Sequence, residues 1–302
     1  MEALQVTRST SRFRVDPLTA LCFFAIYVVW GSTYLAVRFA VADLPPVFAA
    51  GVRFVIAGTV LYPWSRRSDT VSPTKVQWRN LALLGGMLFL VAYSCVFWAE
   101  TRIPSGIAAV LVATAPMWTS LLEVFVFKQM AWRWSLLAAI LLGLGGVSVL
   151  AWTSGGGDLN IVPCLAVLLS SVSWAAGSVL SKRLDLPSSM TLLAACEMML
   201  GGGMLLILSL VIREVPPLPH FTVASSLALV YLIVAGSLLA FTAYVWLLSR
   251  LPATKVASYA YVNPVVALAL GHLLGKEAFG LPALLGAALI LCSVLLILRT
   301  KK

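Results

Sequence analysis

The stretch Arg102-Ile-Pro-Ser-Gly-Ile-Ala-Ala-Val-Leu-Val-Ala-Thr-Ala-Pro116 has a second version, Arg250-Leu-Pro-Ala-Thr-Lys-Val-Ala-Ser-Tyr-Ala-Tyr-Val-Asn-Pro264. Matched positions lie 148 residues apart: Arg102 and Arg250, Pro104 and Pro252, Ala109 and Ala257, Pro116 and Pro264, and upstream Trp98 and Trp246. The second proline of each copy lies within a long apolar run, where it leaves the carbonyl four residues earlier without a donor and bends a helix. Two bent apolar segments at matched positions of a repeat are typical of a membrane transporter's central site.

The composition requires lipid as the solvent. The chain has 302 residues, of which 61% are hydrophobic and 11% charged, whereas a soluble domain carries about 25% charged residues. The apolar runs are continuous and about 20 residues long, which excludes the short alternating strands of a β-barrel. The sequence therefore predicts an all-α integral membrane protein with the lipid bilayer around it.

Ten apolar runs can be marked along the chain. They cover residues 18–39, 47–64, 81–98, 103–127, 134–152, 161–181, 190–212, 223–248, 253–275 and 281–298. Each is close to the length that a helix needs to cross a membrane, about 17–25 residues. The connecting loops are short and hold no Walker-type glycine-rich loop, which excludes an ATP-driven pump.

Basic residues in the loops predict the orientation of these ten helices. One side receives sixteen lysines and arginines and the other three, Arg102, Arg213 and Lys276, which explains the net charge of +10 without a nucleic-acid partner. Because cytoplasmic loops carry the excess of basic residues, both termini are expected in the cytoplasm, as an N-terminal segment 1–17 and a tail 299–302.

The repeat then acquires a direction. The two halves, residues 18–154 and 161–298, are joined by the loop 155–160, and each half has five predicted helices. Since five is odd, the second half enters the membrane in the opposite sense to the first. The sequence therefore predicts a 5+5 inverted repeat, the architecture of many secondary transporters.

Polar and aromatic side chains near the middle of these runs form the candidate substrate cavity. An uncompensated polar group in hydrocarbon is costly, so these groups are expected to face one another or a wet cavity; the alternative is ordinary hydrogen bonding between helices. Indole and phenol rings suit a planar or amphiphilic solute and also stack on a cationic amine. The candidate cavity residues are Trp30, Thr33, Tyr34, Tyr93, Trp118, Trp174, Ser178, Tyr244, Tyr259 and Asn263.

Charges and prolines inside the runs complete the candidate residues. Arg53, Glu123 and Glu197 are candidate functional charges because intramembrane ionisable residues are rare. Pro116 and Pro264 are candidate hinges. The five cysteines show no CxxC spacing, the two histidines have no ligand-spaced companion, and no catalytic constellation is present. The sequence thus predicts no metal, no cofactor and no enzymatic activity.

The segments Trp30-Gly-Ser-Thr-Tyr-Leu-Ala-Val-Arg-Phe-Ala-Val-Ala-Asp-Leu-Pro-Pro46 and Gly51-Val-Arg-Phe54 resemble the opening signature of EamA-type proteins of the drug/metabolite transporter superfamily. Gly275-Lys-Glu277 and Leu285-Gly-Ala-Ala-Leu-Ile-Leu291 resemble the same family, but its Gly-Glu after the fourth helix is Lys128-Gln129 here. The resemblance implies two EamA-like repeats in a bacterial inner membrane, with helices one to four and six to nine around the cavity and helices five and ten at the periphery. The aromatic wall is similar to that of YddG-type amino-acid exporters.

The expected function is export of small metabolites by alternating access, with amino acids, including aromatic ones, as leading substrates. One alternative is an exporter of purines or of cationic or aromatic drugs. Two remoter ones are a passive channel and a lipid-modifying membrane enzyme, for which no nucleophile or acid–base pair is found at the interface. The expected assembly is a monomer or a homodimer.

Overall fold

The structure, a computed structural model, describes residues 16–68, 72–128, 134–153, 161–214, 221–251 and 256–300. The side chains of residues 68, 136, 150–153, 261 and 297–300 are not included in that description. Residues 1–15 of the expected N-terminal segment, the loop 155–160 and the last two residues of the tail also lie outside it, as does Gln129.

The described chain is helical throughout, with no strand in the described ranges. Its helices are α1 Pro17–Val41, α2 Pro46–Ser68, α3 Lys75–Ala99, α4 Ser105–Val126, α5 Trp134–Thr153, α6 Ile161–Leu180, α7 Met190–Val211, α8 Val223–Arg250, α9 Tyr259–Leu273 and α10 Leu281–Thr300. Seven of them, α1 to α4 and α6 to α8, are long and apolar enough to cross a membrane. The other three carry the shorter apolar stretches Leu137–Val149, Val262–Leu273 and Leu281–Leu296.

Side-chain caps decide where several helices begin. The Thr74 side chain accepts from the Gln77 amide while the Gln77 side chain accepts from the Thr74 amide, which satisfies two donors of the first turn. As a result α3 begins at Lys75 rather than at residue 81, where the apolar run starts. Asp16 caps α1 in a similar way by accepting from the Thr19 amide at 2.8 Å.

The packing of the helices is symmetric between the two halves. Helix α2 packs against α7, α4 against α9 and α5 against α10. Helix α3 packs against α6 as α8 packs against α1, and α4 packs against α6 as α9 packs against α1. Adding five to each helix number in the first half, and subtracting five in the second, maps these helix pairs onto one another. Helices α5 and α10 pack mainly against each other, away from the remaining eight.

Two lysines repeat this relation in backbone detail. Lys128 and Lys276 lie 148 residues apart and both have a φ of 52°, a left-handed conformation that is uncommon outside glycine. The preceding turns also match: the Phe127 amide donates to the Leu122 carbonyl at 2.9 Å, and the Gly275 amide to the Leu270 carbonyl at 3.2 Å. Helix α4 and its repeat partner α9 therefore end with the same five-residue turn.

The two proline segments break at different places. Helix α4 is interrupted at residues 113–114, two residues before Pro116. The Ser171 hydroxyl of α6 lies 3.2 Å from the Leu111 carbonyl, 3.4 Å from the Val112 carbonyl and 3.1 Å from the Val167 carbonyl of its own helix, and its single proton is shared among these acceptors. Val112 is the residue whose carbonyl Pro116 leaves without a donor. In the second copy the turn lies at residues 257–258, and Pro264 is inside α9. The break thus lies one turn earlier relative to its proline.

Candidate functional site

In the described part of the chain, three cavities bear on the candidate site; two are lined by residues of both halves and one by residues of the first half. One includes Arg38, Glu100 and Arg102, and another includes Lys182, Glu197 and Tyr244. They are called the outer and the inner cavity after the sides that the loop charges predict. Between them is a central cavity of about 70 Å³, against about 460 Å³ for the outer and about 410 Å³ for the inner one. The central cavity has room for a few water molecules, but a ligand site typically has about 300–1,000 Å³.

The central cavity brings together most of the residues that the sequence predicts for a substrate site. Its lining includes seven of the ten, together with the predicted charge Arg53. The seven are Trp30, Thr33, Tyr34, Tyr93, Trp174, Tyr259 and Asn263. They come from α1, α3, α6 and α9, so both halves contribute to one wall.

Four aromatic rings separate the central cavity from the inner one. The Trp30 ring centroid lies 5.8 Å from that of Trp174, 5.0 Å from Tyr244 and 5.4 Å from Tyr259. Trp174 and Tyr244 are 5.5 Å apart, and Tyr244 and Tyr259 are 6.1 Å apart. All five of these contacts are edge-to-face or tilted and none is a face-to-face sandwich, in keeping with the quadrupoles of aromatic rings. Tyr244 also lines the inner cavity, so this cluster is the wall between the two spaces.

Short π-helical segments explain where several buried polar groups bind. Such segments occur within α1, α3, α4 and α8, and their wider turns leave carbonyls without the usual partner. The Trp30 indole donates to the Gly236 carbonyl in α8 at 3.0 Å. The Ser173 hydroxyl donates to the Met87 carbonyl in α3 at 2.7 Å. With its amide nitrogen turned toward α1, Asn263 donates to the Ile26 and Tyr27 carbonyls at 2.9 Å each.

Arg53 is a buried cation in this aromatic environment. Its side chain is 1% exposed, and its Nε donates to the Ser237 hydroxyl at 2.8 Å. The guanidinium carbon lies 4.6 Å from the Phe54 ring centroid and 5.3 Å from that of Tyr93. Gly236 makes room for it, because a Cβ at that position would lie 2.6 Å from Nη2. Across the described residues the one ion pair joins Arg38 to Glu277, so Arg53 is not paired with an acid there.

Glu100 lies where the central and outer cavities meet. It directly follows α3, lines both cavities and is 4% exposed. Neither carboxylate oxygen has a hydrogen-bond partner in the described part of the chain. Burial raises the pKa of Glu100 well above its usual range, and the Glu277 carboxylate raises it further, while Arg38 and Arg53 lower it.

Two predicted cavity residues and one predicted charge lie at the inner cavity instead. The Ser178 hydroxyl donates to the Trp174 carbonyl at 2.7 Å and lies 3.0 Å from the Tyr244 hydroxyl. Glu197 is 3% exposed and lines this cavity with Lys182. The pKa of Lys182, just past the end of α6, is lowered by burial and raised to a smaller degree by Glu123.

Trp118 and Glu123 lie away from these cavities. Trp118 donates from its indole to the Thr114 hydroxyl at 3.1 Å and packs on a small cluster around Met117 and Ala139, beside α5. The sequence predicts Trp118 at the cavity wall. Because α4 is interrupted at residues 113–114, the part of the helix that carries Trp118 turns this side chain away from the central cavity. Glu123 is in the π-helical end of α4 and is partly buried.

Several lining residues were not among the sequence candidates, chiefly Val37, Phe97, Glu100 and Ser170. Three of them could have been found from helical spacing. Val37 follows Trp30 by seven residues, as Glu100 follows Tyr93, and Phe97 follows Tyr93 by four, spacings that put them on one helix face. In the described residues no three His, Cys, Asp or Glu side chains group as metal ligands.

Comparison with known proteins gives a consistent picture. The EamA-like transporter family model matches residues 17–152 and 161–299, one copy on each half. The Escherichia coli (strain K12) protein "Uncharacterized inner membrane transporter YedA" is 38% identical over 279 residues, covering 91% of this chain and 88% of that protein. The "Probable amino-acid metabolite efflux pump" of the same strain is 26% identical over 295 residues, covering 92% of this chain and 93% of that protein.

A solved structure, "Crystal structure of protein", superposes with a TM-score of 0.67 at 21% identity, covering 94% of this chain and 99% of the other. At that identity the likeness shows the fold. Two matches to one family model span almost the whole chain, and the apolar helices are long enough to cross a membrane several times. The chain therefore belongs to the EamA-like transporter family, in the drug/metabolite transporter superfamily, and is a multi-pass protein of the inner membrane.

Proposed function

We propose that this chain is a secondary transporter that exports small amphiphilic metabolites, with amino acids, including aromatic ones, as its main substrates. The observation that carries the proposal is the central cavity, which is lined by aromatic and polar side chains from both halves. It has an aromatic wall toward the inner cavity and meets the outer cavity at Glu100. A relative named as a probable amino-acid metabolite efflux pump supports this substrate class.

The proposed topology has ten membrane-spanning helices and cytoplasmic termini. The seven long helices and the three shorter apolar ones all cross the bilayer in this proposal. The repeats 18–154 and 161–298 are then inverted relative to each other, as the charge bias of the loops favours. The functional unit is a monomer or a homodimer with no enzymatic activity.

The proposed cycle exposes the central cavity to each side in turn. Because it has only about 70 Å³ in this conformation, substrate entry requires the helices around it to separate. Pro116 and Pro264 are the proposed bending points, since each lies in or beside an interrupted helix that contributes to the cavity. On the inner side, opening requires the four-ring cluster of Trp30, Trp174, Tyr244 and Tyr259 to part.

Counterflow in proteoliposomes tests the function. Vesicles loaded with an unlabelled amino acid should accumulate the labelled one, and Trp30→Ala and Asn263→Ala should each lower the initial rate at least tenfold while the protein stays monodisperse. Unchanged rates in both variants would contradict the assignment of the substrate site. Flux of the amino acid down its gradient without counterflow would indicate a passive channel. Aromatic rings also stack purines and cationic drugs, so competition by these solutes distinguishes the second candidate.

A further inference from the structure

We propose that Arg53 and Glu100 form the two poles of a zwitterion-binding site, with Arg53 taking a substrate carboxylate and Glu100 taking its ammonium group. The inference rests on the proposed transport function and narrows its substrate class to free α-amino acids. It assigns a role to Glu100, which lies outside the aromatic wall, and a specific ligand group to Arg53.

Arg53 has the donors that a carboxylate requires. Its Nε donates to the Ser237 hydroxyl. Its two terminal nitrogens donate no hydrogen bond to any of the described residues. A buried cation without an anionic partner is costly, and the ring contacts with Phe54 and Tyr93 offset only part of that penalty. The planar guanidinium matches a carboxylate with two parallel hydrogen bonds. A substrate carboxylate would supply the missing partner.

Glu100 presents the complementary deficiency. This acid is only 4% exposed, and both of its carboxylate oxygens lack a hydrogen-bond partner in the described part of the chain. Nearly all buried polar groups in proteins are satisfied, so an orphaned carboxyl group in a cavity wall indicates a ligand that binds there. An ammonium group has three donors and the opposite charge, which makes it the fitting partner.

The two groups line the same cavity but do not bind each other. Both face the central cavity, while the ion pair seen in the described residues is that of Arg38 with Glu277. A cation alone would leave Arg53 unpaired, and an anion alone would leave Glu100 unpaired. A zwitterion satisfies both at once. Its side chain would then lie against the aromatic residues of the same cavity, among them Trp30 and Tyr93.

Such a site should discriminate by missing charges rather than by size. A site built to bind a polar group rejects an analogue that lacks it far more strongly than a hydrophobic pocket rejects a missing methylene. Purines have neither the carboxylate nor the ammonium group of a free amino acid, and cationic drugs have only the positive charge. The proposal therefore predicts selectivity against both alternative substrate classes.

The test compares three probes that share one side chain. Purified protein in liposomes is assayed for counterflow of labelled L-phenylalanine, with competition by phenethylamine, which lacks the carboxylate, and by 3-phenylpropionate, which lacks the amine. Wild type should be inhibited at least tenfold more weakly by either analogue than by L-phenylalanine. In Arg53→Gln, phenethylamine should inhibit almost as well as L-phenylalanine, because the carboxylate no longer has its partner, while the ratio for 3-phenylpropionate stays as in wild type. In Glu100→Gln, 3-phenylpropionate should inhibit almost as well as L-phenylalanine, while the ratio for phenethylamine stays as in wild type. These opposite changes are a readout that a structural role would not produce.

Matched controls and a second arginine variant keep the result interpretable. Arg67→Gln, on an exposed residue, and Glu214→Gln, on an acid that caps α2 through the Val47 and Phe48 amides, should leave both ratios unchanged. If Arg53→Gln does not fold, Arg53→Lys keeps the charge without the planar fork and should still weaken the preference for L-phenylalanine over phenethylamine.

The possible outcomes distinguish the zwitterion site from the proposed transport of amino acids. If any of the twenty amino acids shows counterflow but the inhibition ratios stay the same in all variants, the zwitterion site is wrong and amino-acid transport stands. If no amino acid shows counterflow while a purine or a cationic drug does, both proposals are wrong. Opposite shifts in the two variants support both.

Discussion

Arg38 of α1 is paired with Glu277, which follows α9, and this ion pair ties the first repeat to the second. The same carboxylate accepts from the Ser105 amide at 2.9 Å, the Ser105 hydroxyl at 2.7 Å and the Gly106 amide at 3.3 Å. It therefore also caps the first turn of α4, where negative charge is favourable. Since Arg38 lines the outer cavity, one buried acid holds three helix ends together at that entrance.

Removing the charge of Glu277 should open the outer cavity. Glu277→Gln keeps an amide oxygen for the first turn of α4 but loses the ion pair with Arg38, whose side chain is 39% exposed. An ion pair with one exposed partner contributes about 1 kcal/mol or less, so the equilibrium should shift toward the open state by up to about fivefold. A cysteine placed at Val96 in the central cavity, in a background without the five native cysteines, should react that much faster with an impermeant maleimide. Equal rates in Glu277→Gln and wild type would show that the pair does not restrict access.

Gly236 should tolerate no side chain while Arg53 is present. A Cβ at Gly236 would lie 2.6 Å from Arg53 Nη2 and 3.0 Å from the Thr33 methyl group. Gly236→Ala is therefore expected to displace the guanidinium, to destabilise the protein and to lower transport at least tenfold. Arg53→Lys in the same chain should restore the stability, because lysine lacks the branched head that a Cβ at Gly236 would meet. Gly203→Ala is the matched control, since a Cβ there meets no atom within 4 Å. A Gly236→Ala protein with wild-type rates would contradict the placement of Arg53.

Trp118 should matter for stability and not for selectivity. Its indole packs on the cluster around Met117 and Ala139 rather than on the central cavity. Trp118→Ala should reduce the free energy of unfolding by about 2 kcal/mol, below the range for fully buried tryptophan because this ring is half-buried. Thermal unfolding in detergent measures that loss, and competition assays should show unchanged ratios. Trp174→Ala, at the cavity itself, should change the ratios, and the reverse pattern would exchange the two assignments.

The cavity face of each helix was accessible to sequence reasoning wherever the helix is regular. On α1 the spacing of Trp30, Thr33, Tyr34 and Val37 is that of one helical face, and all four line the central cavity. The same spacing extended from Tyr93 reaches Glu100, which was not among the predicted cavity residues. Repeat matching likewise paired α4 with α9, and the identical turns at Lys128 and Lys276 carry that relation into the backbone.

Backbone irregularities were beyond the reach of the sequence. A π-helical turn changes the direction in which later residues point, and its carbonyls become available to partners far along the chain. The bonds from Trp30 to Gly236 and from Asn263 to Ile26 and Tyr27 depend on such segments. The interruption of α4 has the same effect on Trp118. Prolines indicate that a helix is disturbed, but they do not fix on which turn the break lies.

Glu100 should make amino-acid binding dependent on pH. The charged or titratable groups around it are Tyr34, Arg38, Arg53, Tyr93, Arg102 and Glu277. Burial raises the pKa of Glu100, with Glu277 adding to the shift and Arg38 and Arg53 opposing it. The empty site therefore holds a proton at higher pH than an exposed glutamate does.

A protonated carboxyl has no charge to offer an ammonium group. Lowering the pH therefore weakens binding, by at most tenfold per pH unit because one proton is involved. Counterflow affinity for L-phenylalanine, measured at equal pH on both sides of the vesicle, should fall as the pH drops in wild type and stay flat in Glu100→Gln. A flat wild-type profile would mean that the ammonium group binds elsewhere, because no other acid borders the central cavity in the described residues.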